Sequence, residues 1–201
     1  MHESKIFVLA DRTLNGVVQQ IADDQWVMEM SQEFQTRQLD HRLSLREIIA
    51  YHAYDDAWIP DILAGKTIAE AGPDKFNGDL LGNDPKAAFT AIVEAACASA
   101  EALTDPDRVL HFSYGDYPAH DGLWHVISFR GLRSFDLAKV IGVNTQLPEE
   151  LTQAMWDAFV PQAETWRAMG VFGPQIEVPE DAPLQDRLLG LTGRQPEGKY
   201  L

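Results

Sequence analysis

The stretch from residue 120 to residue 142 constrains the fold more than any other part of the chain. Its sequence, HDGLWHVISFRGLRSFDLAKVIG, repeats apolar and small residues three and four positions apart, as one side of an α-helix requires. These positions are Trp124, Ile127, Gly131, Phe135 and Ala138. A second stripe on the same helix mixes polar and apolar side chains: His125, Phe129, Arg133 and Asp136. A helix that is apolar on several sides belongs inside a protein, so the polar stripe is predicted to line a cavity or an internal ion-pair network.

The acidic composition of the chain excludes some classes of partner. Sixteen Lys and Arg residues against 31 Asp and Glu residues give a formal net charge of -15 over 201 residues. Such a charge repels a phosphate backbone or an anionic membrane, so nucleic-acid and membrane partners are not expected. The length suits one domain, residues 1–201, with enough buried surface for a hydrophobic core.

Three features of the sequence predict a cytoplasmic protein. Cys97 is the single cysteine, so an internal disulfide is ruled out. The first residues, MHESKIFVLADR, lack the basic region and the apolar run of a secretory signal. No segment approaches the roughly 20 apolar residues that a membrane-spanning helix needs.

Start and stop signals divide the first half of the chain into helices. Apolar spacing predicts a first helix from Ser4 to about Ile21, with Ser4 as its N-cap. A second helix is predicted to open at Ser44 with a capping box, since Glu47 follows three residues later, and to stop at Gly65. Pro60 inside it predicts a kink or a local break. Residues 69–83 are rich in turn-forming residues and are predicted to be a loop.

The second half follows the same pattern. Asp84 and Pro85 supply an N-cap and a first-turn proline for a third helix that runs to about Leu103. A short extended piece is predicted within residues 108–117, before the central helix. Residues 148–169 predict a helix that is bent or divided at Pro161, and a short helix with four leucines ends at Gly193. Five or six helices without convincing strand alternation predict an all-α bundle with a four-helix core and a short additional C-terminal helix.

The second helix carries polar side chains inside apolar rows. His52 and Asp56 lie one turn apart on one row, and Tyr51 and Asp55 lie on the adjacent row. His52 and Asp56 have the spacing of an acid–base couple or of two ligands of a displaced metal site. A buried histidine hydrogen-bonded to a carboxylate explains the same spacing, and the sequence leaves these alternatives open.

Several motifs together resemble one known family. They are SLREIIA from Ser44, F-D-L-A-x-x-x-G from Phe135, and F-G-P…V-P-x-D-A…D-R-L-L…G-R-x-P between Phe172 and Pro196. The chain resembles, over nearly its whole length, the DinB-like superfamily and in particular the actinobacterial family related to mycothiol-dependent maleylpyruvate isomerase. The resemblance implies a DinB-like four-helix bundle. It also implies one divalent metal, held by a histidine of the second helix and by a glutamate and a histidine four residues apart before the D-L-A motif.

All three implied ligand positions carry other residues in this chain. The second-helix ligand falls on Tyr51, and the glutamate and histidine fall on Phe129 and Arg133. Arginine is permanently protonated and phenylalanine has no donor atom, so no metal and no cofactor are expected at the implied place. Arg133 instead supplies a fixed positive charge there, which Asp55 or Asp136 could neutralise.

The leading hypothesis is a DinB-like bundle without the metal centre that binds a small anionic molecule in its interior. The candidate ligand-binding residues are Tyr51, His52, Asp55, His125 and Arg133. Arginine suits bidentate recognition of a carboxylate or phosphate. The alternative at these positions is a structural plug, in which the larger side chains fill the vacated metal pocket, with His125 a structural histidine.

Two further hypotheses remain open. One is a metal- and mycothiol-dependent isomerase or transferase related to maleylpyruvate isomerase, with a rearranged site that uses His52 and Asp56. The other is a purely structural or self-associating bundle, for which a homodimer is the expected form. No catalytic residue is assigned from the sequence.

Overall fold

The computed structural model describes residues 2–34 and 40–196. They form two compact units, Met1–Asn144 and Thr145–Leu201, of which the second is described to residue 196. The described parts are mainly helical, with one two-stranded sheet, so the coarser part of the all-α prediction, a mainly helical fold, is confirmed. The single-domain expectation for residues 1–201 stays a prediction, since two compact units can belong to one domain. None of the described helices is long and apolar enough to cross a membrane.

Long helices dominate the first unit. They are α1 (His2–Val18), α2 (Leu45–Leu63), α4 (Pro85–Ala102) and α5 (Ala119–Ile141), with the short helix α3 (Ile68–Ala71) after α2. Helix α1 packs against both α5 and α4, and α4 packs against α2. The apolar side chains packed between them are fully buried, among them Phe7, Ile49, Phe89 and Phe135. This packing brings α1, α2 and α5 around a common interior.

The predicted helix ends agree with the structure in most places. Ser44 accepts a hydrogen bond from the Glu47 amide and the Glu47 carboxylate accepts one from the Ser44 amide, so the capping box is confirmed. Asp84 caps α4 ahead of Pro85. Gly142 ends α5 at φ +75°, in the left-handed region that glycine adopts without strain.

Other boundaries differ from the prediction. Helix α1 starts at His2, so Ser4 is a buried residue of its first turn and not its N-cap. The α-helix α2 continues through Pro60 to Leu63. Residues 69–83, predicted as a loop, overlap the short helix α3, because Thr67 and Glu70 form a second capping box.

The predicted extended piece is the first strand of a β-hairpin. Strands β1 (Val109–Phe112) and β2 (Gly115–Pro118) pair antiparallel, with Leu110 opposite Tyr117. Gly122 of α5 lies directly under the hairpin, since an added Cβ would come within 2.8 Å of the Phe112 ring. The hairpin therefore covers the first turns of α5.

The described part of the second unit, residues 145–196, contains three α-helices. They are α6 (Glu149–Phe159), α7 (Ala163–Ala168) and α8 (Leu184–Leu191). Pro161 lies in the 3-10 turn between α6 and α7, which confirms the predicted division at this proline. Phe159, Trp166 and Phe172 pack ring against ring as the aromatic core of the unit.

Gly190 allows the chain after α7 to pack directly on α8. The Ile176 amide donates a hydrogen bond to the Gly190 carbonyl at 3.0 Å. An added Cβ at Gly190 would lie 2.6 Å from the Ile176 carbonyl oxygen and 2.5 Å from a methyl group of Val178. The close contact at this place therefore requires glycine at position 190.

We expect Gly190→Ala to destabilise the protein by about 1–3 kcal/mol, because backbone must move to accept the methyl group. Gly16→Ala in α1 is the matched control: an added Cβ there meets nothing within 4 Å, and the change should stabilise the helix by about 1 kcal/mol. Urea unfolding followed by circular dichroism measures both changes. Equal effects of the two substitutions would contradict the close packing.

Candidate functional site

A fully buried arginine lies at the centre of the first unit. Arg130 of α5 exposes only 1% of its surface and is among the largest fully buried side chains of the described residues. A guanidinium in such a place costs several kcal/mol unless carboxylates and hydrogen-bond acceptors surround it. Its surroundings are therefore the first place to look for chemistry.

Three side chains from two other helices meet this guanidinium. Nε and Nη2 of Arg130 donate hydrogen bonds to Oδ1 of Asp56, at 2.9 and 2.5 Å. Nη1 lies 3.3 Å from Nδ1 of His52. Oδ1 of Asp11, on α1, lies 3.3 Å from Nε as an ion pair. We call Asp11, His52, Asp56 and Arg130 the Arg130 cluster.

Helical spacing places each member of the cluster. His52 and Asp56 are four residues apart on α2 and therefore share one face, and both are buried. Arg130 sits in a buried row of α5 with the 3–4 spacing of a packed face: Leu123, Ile127, Arg130, Ser134, Leu137 and Ile141. Asp11 occupies the equivalent place in a buried row of α1: Ser4, Phe7, Asp11, Leu14 and Val18.

Burial raises the pKa values of Asp11 and Asp56, whereas the positive charge of Arg130 lowers them. Burial raises the pKa of Asp56 to about 6 against the lowering effect of Arg130. Burial and the Asp56 charge raise the pKa of Asp11 well above its ordinary value, and Arg130 offsets only part of this. The Asp56 and Asp11 charges hold the pKa of Arg130 above its ordinary value despite burial. Arg130 is therefore a permanent cation.

His52 is held neutral. Burial lowers its pKa well below the ordinary value, and the charges of Arg130 and Arg133 lower it further. Because Nη1 of Arg130 can only donate, Nδ1 of His52 accepts and the imidazole proton resides on Nε2. The pair His52 and Asp56 is thus joined through Arg130, and it does not form the direct hydrogen bond of an acid–base couple.

Arg133 lies on the neighbouring side of α5 among aromatic rings. Its guanidinium carbon lies 4.8 Å from the ring centre of Phe34 and 5.3 Å from that of Phe129. The Phe129 ring also packs on His52 at 4.9 Å. Phe129 and Arg133 are therefore neighbours, as their spacing predicts, and both lie beside the cluster.

The other predicted residues lie further out. Tyr51 is 40% exposed on the outer face of α2. Half of the Asp55 side chain is exposed, and its Oδ2 lies 4.0 Å from Nη1 of Arg130. Among the ion pairs of the described residues, Asp55 pairs with Arg130 and not with Arg133. His125 packs edge-on against Tyr117 of the hairpin at 4.6 Å, and burial lowers its pKa. The structure thus brings His52, Asp55 and Arg133 near one another and places His125 under the hairpin.

The sequence interpretation missed two members of the cluster, Asp11 and Arg130. A signal for both exists in the sequence. Each is the single charged residue in a row of otherwise apolar or small residues spaced three and four apart, and each row lies on a long helix. A charge in such a row needs a partner from another helix, and Arg130 meets both Asp56 and Asp11.

The described residues do not fit the metal that the family resemblance implies. Tyr51, Phe129 and Arg133 occupy the three ligand positions, and Nδ1 of His52 and Oδ1 of Asp56 both face the Arg130 guanidinium. Within residues 2–34 and 40–196, no three His, Cys, Asp or Glu side chains are grouped as a metal site requires. A cation at His52 and Asp56 would have to displace the arginine.

Two other features place limits on the chemistry of this unit. Burial raises the pKa of Cys97 to about 12, so its thiol is not a nucleophile near neutral pH. A pocket of about 260 Å³ opens on the first turns of α1 and is lined by Ser4, Lys5, Val8 and Glu101. No member of the Arg130 cluster lines that pocket.

The comparisons with known proteins find no matching family model, no matching curated protein and no matching solved structure. The interpretation of the site therefore depends on its geometry and on the sequence motifs.

We expect Arg130→Met to destabilise the protein by about 3–5 kcal/mol at pH 8, because it leaves Asp56 buried without a counter-charge. The loss should be smaller at pH 5, where Asp56 can take up a proton. Arg12→Met is the control: Arg12 pairs with Glu94 on the surface, and such pairs contribute about 0–1 kcal/mol.

The double variant Asp56→Asn with Arg130→Met tests the cause of this loss. It should recover part of the stability that Arg130→Met alone removes, because no unpaired charge remains at Asp56. Urea unfolding at the two pH values measures all four proteins. A loss that is equal at both pH values and is not relieved in the double variant would contradict the charge-pairing role.

Proposed function

We propose that this chain is a DinB-like four-helix-bundle protein in which the Arg130 cluster replaces the metal centre. We further propose that it binds a small anionic molecule beside His52 and Arg133. The observation that carries the proposal is the position of the Arg133 guanidinium, which lies against the rings of Phe34 and Phe129 next to the buried imidazole of His52. A permanent positive charge at this place favours a negatively charged ligand.

The packing of the long helices supports the bundle. Helices α1, α2, α4 and α5 pack in the pairs α1 with α5, α1 with α4, and α2 with α4. The resemblance draws its ligands from the second long helix and from the helix before the D-L-A motif. Those are α2 and α5, the helices that carry His52, Asp56 and Arg130.

The charges at the site support an anionic ligand over a divalent cation. Arg130 and Arg133 carry permanent positive charges, and their guanidinium carbons lie 5.5 and 5.3 Å from the centre of the Phe129 ring. Asp56 accepts both short hydrogen bonds of Arg130, which compensates that charge. Arg133 is the guanidinium that we propose binds a carboxylate or phosphate, because its planar donors suit these groups. Tyr51 and Asp55 lie on the solvent side of α2.

We expect small anions to raise the melting temperature of the protein. Acetate, succinate and inorganic phosphate, compared with chloride at equal ionic strength, are the probes. A ligand that binds only the folded state raises the apparent stability as its concentration increases. Arg133→Gln should abolish the shift, and Arg133→Lys, which keeps the charge but not the planar fork, should weaken it. Arg46→Gln, which removes a surface cation that pairs with Asp79, should leave the shift unchanged.

Two results would contradict the proposal. If no probe shifts the melting temperature, or if Arg133→Gln responds as the unchanged protein does, Arg133 is a structural plug between Phe34 and Phe129. If elemental analysis of the purified protein finds stoichiometric zinc or nickel, the site holds a metal. The metal- and thiol-dependent isomerase or transferase is then the correct alternative.

The expected homodimer is tested separately. Sedimentation equilibrium of the purified chain distinguishes a mass near the 22.5 kDa of one chain from twice that value.

A further inference from the structure

The buried charges around Arg130 do not balance. Asp11 and Asp56 are both fully buried, and the half-exposed Asp55 approaches the same guanidinium. One guanidinium therefore faces three carboxyl groups. In a buried site an uncompensated carboxylate is far more costly than a protonated one, which selects protonation of one acid.

The geometry identifies the carboxyl group that remains uncompensated. Arg130 directs its Nε and Nη2 hydrogen bonds to Asp56. Asp11 has only the 3.3 Å approach to Nε, and neither of its oxygens accepts a hydrogen bond from the described residues. A carboxylate needs hydrogen-bond donors, and a carboxylic acid with one proton of its own needs fewer.

The groups that face Asp11 from each neighbouring helix also favour its protonated state. Among the described residues, Arg130 on α5 is the cation that meets Asp11, and Asp56 on α2 already accepts two of its hydrogen bonds. From α4 come Glu94, whose charge opposes ionisation of Asp11, and the neutral thiol of Cys97. Glu94 is paired with Arg12 on the surface, so the interior beside Asp11 holds one positive charge, which Asp56 already shares.

We propose that Asp11 is a protonated carboxylic acid in the folded protein at neutral pH, and that loss of this proton loosens α1 from α5. The first unit then contains a proton-dependent lock, since Asp11 is the member of the Arg130 cluster that α1 contributes. This inference does not depend on the anion-binding proposal, because it concerns the interior between α1 and α5 and not the face at Arg133.

The direction of the pH dependence follows from the raised pKa of Asp11. An acid whose pKa is higher in the folded state than in the unfolded state binds its proton more tightly when folded. Its contribution to stability is therefore full at a pH below the unfolded value, about 3.9. Between that value and the folded pKa, the contribution to the folding equilibrium constant falls by about tenfold per pH unit.

Infrared spectroscopy of the unchanged protein tests the protonation state directly. A protonated carboxylic acid has a carbonyl stretching band that a carboxylate lacks. We expect this band at pH 7, and we expect it to be missing from the spectrum of Asp11→Asn, whose amide resembles the protonated acid in shape. Absence of the band from the unchanged protein at pH 7 would overturn the proposal, whether or not any variant folds.

The pH dependence of the unfolding free energy tests whether the proton of Asp11 holds α1 against α5. The unfolding free energy of Asp11→Asn should come nearest to that of the unchanged protein at about pH 4 and exceed it increasingly towards pH 8, with a flatter dependence on pH. Asp23→Asn removes one formal negative charge from the surface and is the control for net charge; it should keep the steeper dependence. Hydrogen exchange of the α1 amides should accelerate with pH beyond the intrinsic chemical rate only in proteins that retain Asp11. Equal pH slopes for the two variants would overturn the lock.

Discussion

The pairing of Arg130 with Asp56 is the interaction on which the interior of the first unit depends. Burying either charge alone would cost more than most single contacts contribute to a domain. Buried together, with Nε and Nη2 both directed at Oδ1, they oblige α2 and α5 to meet at one register. Asp11 of α1 approaches the same guanidinium, so α1 also packs at this place. Three long helices are thus fixed relative to one another by a polar contact, around which the apolar side chains pack.

The local structure was predictable because it depends on neighbouring residues. Ser44 with Glu47, and Asp84 with Pro85, form caps whose hydrogen bonds lie within one turn of the chain, and both were found as expected. Pro161 divides its helix for an equally local reason, the missing amide proton. Ser4 misled the prediction, because serine is a good N-cap anywhere near a helix start and α1 begins two residues earlier.

The candidate site was predictable only in part, because its contacts join residues far apart in the sequence. The spacing of His52 and Asp56 placed both on one face of a buried helix, and the structure buries both. Their partner was harder to choose, because Arg130 and Arg133 are three residues apart on the same helix and both are buried. Only the row of apolar and small residues around Arg130 distinguishes it in the sequence. The motif-based mapping directed attention to Arg133, whereas the aspartates of the interior are paired with Arg130.

Sharing one guanidinium among several acids has a consequence for sequence variation. Neither Asp56 nor Arg130 can be exchanged for an apolar residue by itself without stranding a charge, whereas replacing the ion pair as a whole with hydrophobic side chains of similar volume can be neutral or favourable. Related chains should therefore be of two kinds, those that keep both Asp56 and Arg130 and those that have lost both. Intermediates that retain an orphaned Arg130 or an orphaned Asp56 should be rare.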